Sequence, residues 1–128
     1  MKNLEQIRAA NALRCQRENE DREDGDKIEG KQKGEVIKKI PTMILNHGLL
    51  ATMADAVENK GKTIAFDHIA RHLADPEIGI VPTDIKNHSK LLEYLTSKDA
   101  NSELLKQATS ETMAWLGYAR RFVTGGHK

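Results

Sequence analysis

A chain of 128 residues with 20 basic and 19 acidic side chains has a formal net charge of +1, so bulk charge does not mark it as a nucleic-acid binder. Its mean hydropathy is −0.60, and no apolar run approaches the ~18 residues that a membrane-spanning helix needs. The single cysteine, Cys15, has no internal disulfide partner, which fits a reducing cytoplasm, and Met1-Lys2-Asn3-Leu4-Glu5 lacks the apolar core of a signal peptide. These features predict a cytoplasmic protein, folded as one domain over residues 1–128 without help from disulfide or metal.

Leu4, Ile7, Ala10 and Leu13 recur at the helical period and predict a first helix over residues 1–16. Residues 17–35 then hold 13 charged side chains, three glycines and one apolar residue, Ile28. Such a stretch has too little to bury to offset its ordering entropy, and it is expected to be a charged, mobile loop. Ile37, Ile40, Ile44 and Leu45 predict a second helix over 36–46, which Pro41 either kinks or restarts. Gly48 supplies the left-handed geometry that stops it. Leu50, Met53, Ala54 and Val57 carry a third helix over 49–58. Thr63 is the expected cap of a fourth, which places Ile64, Phe66, Ile69, Ala70 and Leu73 on one side and ends before Pro76.

Residues 77–81 suit a short extended piece. A fifth helix is expected to open at Thr83 or Asp84 and run through Leu95, and a sixth to open at Asp99 or Asn101. In that last helix Leu104, Leu105, Ala108, Thr112, Trp115, Leu116, Ala119, Phe122 and Val123 fall within an arc of roughly 120°, a core-facing stripe ended by Gly125-Gly126. No strand pair is evident. The predicted fold class is all-α, a single-domain bundle of about five or six helices.

Catalytic patterns are weak. His68 and His72 stand four apart on a helix, a spacing that suits a shared metal, but Ile69 occupies the place where the zincin pattern needs Glu. They are expected instead to be two partly exposed histidines on an amphipathic helix. Cys15 is expected to be a packing residue despite Arg14 and Arg17 nearby. There is no Gly-x-Ser-x-Gly and no phosphate-cradling Gly-rich loop. The reading is a non-enzyme with no cofactor and no metal site.

Surfaces for partners are more informative. Lys38 and Lys39 precede Pro41, Arg120 and Arg121 close the last helix, and Lys86 and Lys90 are expected on one face of the fifth helix. Clusters of this kind neutralise phosphates without reading sequence. Opposite the core stripe of the last helix, Met113, Ala114 and Gly117 form a small, uncharged patch between Lys106 and Arg120-Arg121, where a solvated face would be dense in Lys and Glu. This patch is the expected subunit-docking face. An alternative treats residues 62–73 as the first helix of a DNA-binding helix-turn-helix regulator, although residues 75–82 are too long and apolar for the turn.

Two blocks carry a resemblance to a known family. Ile40-Pro41-Thr42-Met43-Ile44-Leu45-Asn46-His47-Gly48-Leu49 resembles the (Leu/Ile)-Pro-x-x-Ile-x-x-(Asn/His)-Gly-Leu segment of the small subunit of the type III-B CRISPR effector, the Cmr complex. Residues 108–122, Ala-Thr-Ser-Glu-Thr-Met-Ala-Trp-Leu-Gly-Tyr-Ala-Arg-Arg-Phe, resemble its C-terminal Ala-Thr-x-Glu-x-Leu-x-(Trp/Phe)-Leu-x-(Trp/Tyr)-x-(Lys/Arg)-Arg-Phe. Gln6, Arg8, Ala9 and Ala12 echo the family's first helix. The middle of the chain, residues 58–101, is covered poorly. The chain departs from the pattern in the acid-rich stretch 18–35, at Lys33-Gly34 where an aromatic is frequent, at Met113 for Leu, and at Gly117 for a larger residue.

The resemblance implies an all-helical, non-catalytic subunit that stacks in copies beside the backbone subunit holding the CRISPR RNA. There it lines the groove where target RNA pairs with the guide, as part of antiviral defence. Its implied partners are the other Cmr subunits, copies of itself and the guide–target RNA duplex, with no membrane involved. Arg120 and Arg121 match the family's basic pair, and Lys38 and Lys39 its basic positions before the proline, which marks these four for RNA or subunit contact. Lys86 and Lys90 join them by spacing alone. Asn46, Gly48 and Trp115 are assigned to structure.

Overall fold

A computed structural model describes residues 3–20 and 35–125. The stretch 21–34, with Lys31 and Lys33, lies outside the described residues, as do Gly126 and the side chain of Val123. The described residues form six α-helices and no strand: α1 (Leu4–Glu20), α2 (Glu35–His47), α3 (Leu49–Asp55), α4 (Lys60–Leu73), α5 (His88–Leu95) and α6 (Ser102–Gly125). The fold is all-α. One hydrophobic cluster takes residues from all six helices, with Trp115, Phe66, Ile37, Ile40, Met53 and Ile69 among its largest fully buried side chains.

Helix α1 begins in a reciprocal cap. The Gln6 backbone N–H donates to Asn3 Oδ1 and the Asn3 N–H to Gln6 Oε1, each at 2.9 Å, which satisfies two otherwise orphaned donors. Its buried face is Ile7, Asn11, Ala12, Cys15 and Gln16. That corrects the expected stripe: Leu4 is 44% exposed, Ala10 is exposed and Leu13 half-buried. The physical reason is that α1 docks through polar partners, so apolar periodicity does not report its inner face. Contacts of Glu5 with Tyr118 and of Arg8 with Glu111 set α1 antiparallel to α6.

Pro41 lies inside α2, which runs through it from Glu35 to His47. Gly48, at φ 91°, then separates α2 from α3 and sends its N–H back to the Ile44 carbonyl at 2.8 Å. Helix α3 buries Leu49, Thr52 and Met53 and passes into a 3-10 turn, Ala56–Glu58. The expected face was one residue out of register, since Ala54 is exposed and Val57 is 64% exposed. Thr52 can be buried because its hydroxyl donates to the Gly48 carbonyl.

The cap of α4 is Asn59, not Thr63: Asn59 Oδ1 accepts the Lys62 N–H at 3.0 Å. The Thr63 hydroxyl instead donates to the Ala56 carbonyl at 2.8 Å, tying the helix to the preceding turn. Residues 77–81 form no strand. The Ile78 and Gly79 N–H groups both fold back to the Asp75 carbonyl, and the Ile80 and Val81 N–H groups to that of Leu73, while Val81 and Ile85 enter the core. Helix α5 consequently starts later than Thr83 or Asp84, at an Asn87 cap whose Oδ1 accepts the Lys90 N–H at 2.8 Å. Helix α6 opens as expected at Asn101, which accepts the Leu104 N–H. Ala108, Thr112, Trp115, Leu116 and Ala119 are buried along it.

Candidate functional site

Among the described residues, the densest cluster of polar side chains is internal. Glu111 on α6 accepts two hydrogen bonds from Arg8 of α1, from Nε and Nη2, both at 2.7 Å, and a third from His72 Nε2 of α4 at 2.9 Å. A carboxylate of this kind only accepts, so His72 carries its proton on Nε2. Its Nδ1 accepts from the Asn11 amide at 2.8 Å, and the same amide donates to Asp75 Oδ2 at 3.0 Å. His72 also packs tilted against the Trp115 ring, with centroids 6.0 Å apart.

Burial pushes His72 below its ordinary 6.5, and protonating Nδ1 would set a donor against the Asn11 amide. Burial raises the Glu111 carboxyl, but hydrogen bonds from Arg8 and His72 outweigh it and hold the group below 4.5. Both histidines of the His-x-x-x-His pair are buried, His68 at 2% and His72 fully, which corrects the expectation of partial exposure. Their helix face is turned to α1 and α6. No group of three metal-ligating side chains is found among the described residues. These perturbed groups clamp three helices together.

The sequence-selected basic residues lie elsewhere. Lys38 and Lys39 are exposed on the outer side of α2, with Ile37 and Ile40 buried beneath. Arg120 and Arg121 are exposed near the end of α6, directly after the buried Ala119. Met113, Ala114 and Gly117 are half-buried on α6, and Met113 packs partly against the core. A Cβ added at Gly117 would meet nothing within 4 Å among the described residues, so nothing there requires a glycine.

Lys86 and Lys90 do not share a helix face, because Lys86 precedes α5. Lys86 lines a surface depression with Arg14, Arg71 and Asp75. Lys90 lines a different one beside Asp84, Glu93 and Asp99. Spacing placed the two lysines together only on the assumption that the helix began by residue 84. Sequence reasoning also missed the grouping of Arg14 with Arg71, which lie on different helices and carry no local pattern. The helix-turn-helix alternative finds no short turn, since residues 74–87 separate α4 from α5.

The first-helix echo and the C-terminal block meet in space, and α2, which carries the proline block, packs on α6. Arg8, from the first-helix echo, grips Glu111 of the C-terminal block, and Gly48 of the proline block takes the positive φ that its position demands. The family model of the CRISPR-associated protein (Cas_Cmr5) matches residues 4–126. The chain belongs to this family. As a Cas_Cmr5 member it is a small subunit of the type III-B CRISPR Cmr complex, and its association is with other subunits of that complex. The match spans the poorly covered middle as well as both blocks. No curated protein and no solved structure matches the chain closely enough to add a relative. Among the described residues, no helix is long and apolar enough to cross a membrane.

Proposed function

We propose that this Cas_Cmr5 chain is a non-catalytic scaffold of the Cmr effector, stacking with copies of itself and with the backbone subunit along the guide–target RNA duplex in antiviral defence. The family match over residues 4–126 carries the reading. Two physical observations support it. The downshifted titratable groups His72 and Glu111 are consumed in holding helices together, which leaves them unavailable as an acid–base pair for a substrate. The exposed cations at Lys38, Lys39, Arg120 and Arg121 suit phosphate contacts that need no sequence reading, because base pairing with a guide supplies specificity in RNA-guided machines.

Met113, Ala114 and Gly117 form the docking face for a neighbouring subunit. Gly117 leaves open space where a larger side chain would stand, so a neighbour's backbone can approach closely. Co-expression with the other Cmr subunits and guide RNA tests both parts. Charge reversal at residues 38, 39, 120 and 121 is expected to lower recovery of the RNA-bearing complex, and Ala114→Arg to abolish association while the isolated chain keeps its helical circular dichroism. Full assembly and undiminished target binding by the charge-reversed chain would remove the proposal.

A further inference from the structure

The depression lined by Lys86 gathers cations that the sequence keeps far apart. It has a volume of about 400 Å³, and its three cations arrive from three separate segments: Arg14 from α1, Arg71 from α4 and Lys86 from the loop before α5. Ala74, Pro76 and Thr83 complete its wall, giving two apolar surfaces and one hydroxyl. Sites of this size accept one small ligand unit.

The charges have a definite arrangement. Arg71 Nη1 donates to both oxygens of Glu18, at 3.1 and 3.3 Å, and Arg14 Nε stands 3.9 Å from the same carboxylate. Glu18 is 38% exposed and is thus held by a solvent-weakened pair that an incoming anion can replace. Asp75 is tied back into the fold, with Oδ1 accepting the Glu77 N–H and Oδ2 the Asn11 amide. Lys86 is exposed and makes no ion pair among the described residues. Three cations against two carboxylates leave a single net positive charge. A phosphate that displaces Glu18 meets three cations against Asp75 alone, so the depression stays electropositive toward a singly charged phosphodiester. The planar guanidinium forks suit two non-bridging phosphate oxygens, and Ala74 with Pro76 offers an apolar bed for the adjoining sugar.

We propose that this depression seats one phosphodiester of an RNA backbone, with Arg14, Arg71 and Lys86 as its donors and Glu18 as the internal anion that the phosphate displaces. The identity of the polymer rests on the scaffold reading above; the site itself is additional to it. Lys90, in its acidic surroundings, takes no part.

The test is fluorescence anisotropy of the full chain with a labelled single-stranded RNA dodecamer at low salt. Lys86→Gln is expected to weaken binding at least about threefold and to reduce the log–log salt slope by about one. Lys90→Gln should leave both unchanged, and Glu18→Gln should tighten binding by about threefold because the competitor has lost its charge. Equal effects at Lys86 and Lys90, or no gain with Glu18→Gln in a chain of unchanged circular dichroism, would overturn the site. If Glu18→Gln fails to fold, the contrast between the two lysines decides alone. Displacement of the RNA by adenosine monophosphate or inorganic phosphate at equal phosphate concentration would overturn the phosphodiester assignment. Loss of Cmr assembly with Lys86→Gln at unchanged RNA affinity would make the depression a protein contact and overturn it equally. Absence of RNA binding by the wild-type chain removes this site while leaving the scaffold role to the co-expression experiment, so the two failures are distinguishable.

Discussion

The junction of α1, α4 and α6 and the packing of α5 on α3 and α4 solve the same problem by different means. In the first, Arg8, Glu111, His72, Asn11 and Asp75 form a connected hydrogen-bonded chain beside Trp115. In the second, Phe66, Ile69, Leu91 and Met53 fill an apolar interior, and the polar contacts run to backbone or caps, as where His88 Nε2 donates to the Met53 carbonyl. Apolar packing supplies burial without strict direction. A network of directional donors and acceptors fits in one register only, since a slip would strand buried polar groups at about 1–3 kcal/mol each. The polar junction therefore fixes how α1 sits.

Five substitutions sharpen that contrast, in falling order of effect. Phe66→Ala removes a fully buried ring packed edge-on to His88 at 5.7 Å, and should cost about 4 kcal/mol in denaturant unfolding at any pH where the chain folds. Glu111→Gln keeps the shape but sets an amide NH2 against one of three donors, and should cost about 2 kcal/mol at neutral pH.

The second loss should depend on pH. His72 and Glu111 are both shifted downward, so the unfolded chain binds more protons than the folded one. Their stabilisation is complete above about pH 6.5 and fades on acidification, first as the unfolded histidine protonates below 6.5 and then as the unfolded carboxylate does below 4.5. Thermal melts across that range should show Glu111→Gln losing the lower step, with a shallower decline below pH 4.5 than the parent chain. A parallel pH profile for Phe66→Ala and Glu111→Gln would abolish the distinction between the two regions.

Smaller effects follow at the ends of elements and on the outer surface. Asn59→Ala deletes the α4 cap and should cost about 1 kcal/mol, while Thr63, the residue that the sequence favours for this role, bonds the neighbouring turn instead. Lys38→Glu and Arg121→Glu, at exposed positions outside both packed regions, should each change stability by less than about 0.5 kcal/mol in chemical denaturation. Any larger change would mean that these cations serve the fold and are not held in reserve for a partner.

Legibility in the sequence followed the kind of interaction. The stripe of α6 from Ala108 to Ala119 was plain because a long helix facing an apolar core imposes its period on many residues. The stripe of α1 misled, since Leu4 and Ala10 lie outward while Asn11 and Gln16 lie inward. Exposed Lys38, Lys39, Arg120 and Arg121 were readable as surface positions, whereas the separation of Lys86 from Lys90 depended on where α5 starts. That start was settled by Asn87 and by the Asp67 carboxylate receiving the His88 N–H at 2.7 Å, a contact between residues 21 apart.

The sequence by itself determined the all-α class, the six helical stretches, the buried Trp115 and the family to which residues 4–126 belong. Those properties are local, or are written as ordered blocks along the chain. Only the tertiary structure decided that Arg8 meets Glu111 across 103 residues, that both histidines of α4 are interior, and that Arg14, Arg71 and Lys86 converge. Hydrophobic periodicity averages over a helix face, whereas a polar pair or an anion site depends on a few groups brought together from distant segments, and only folding sets those distances.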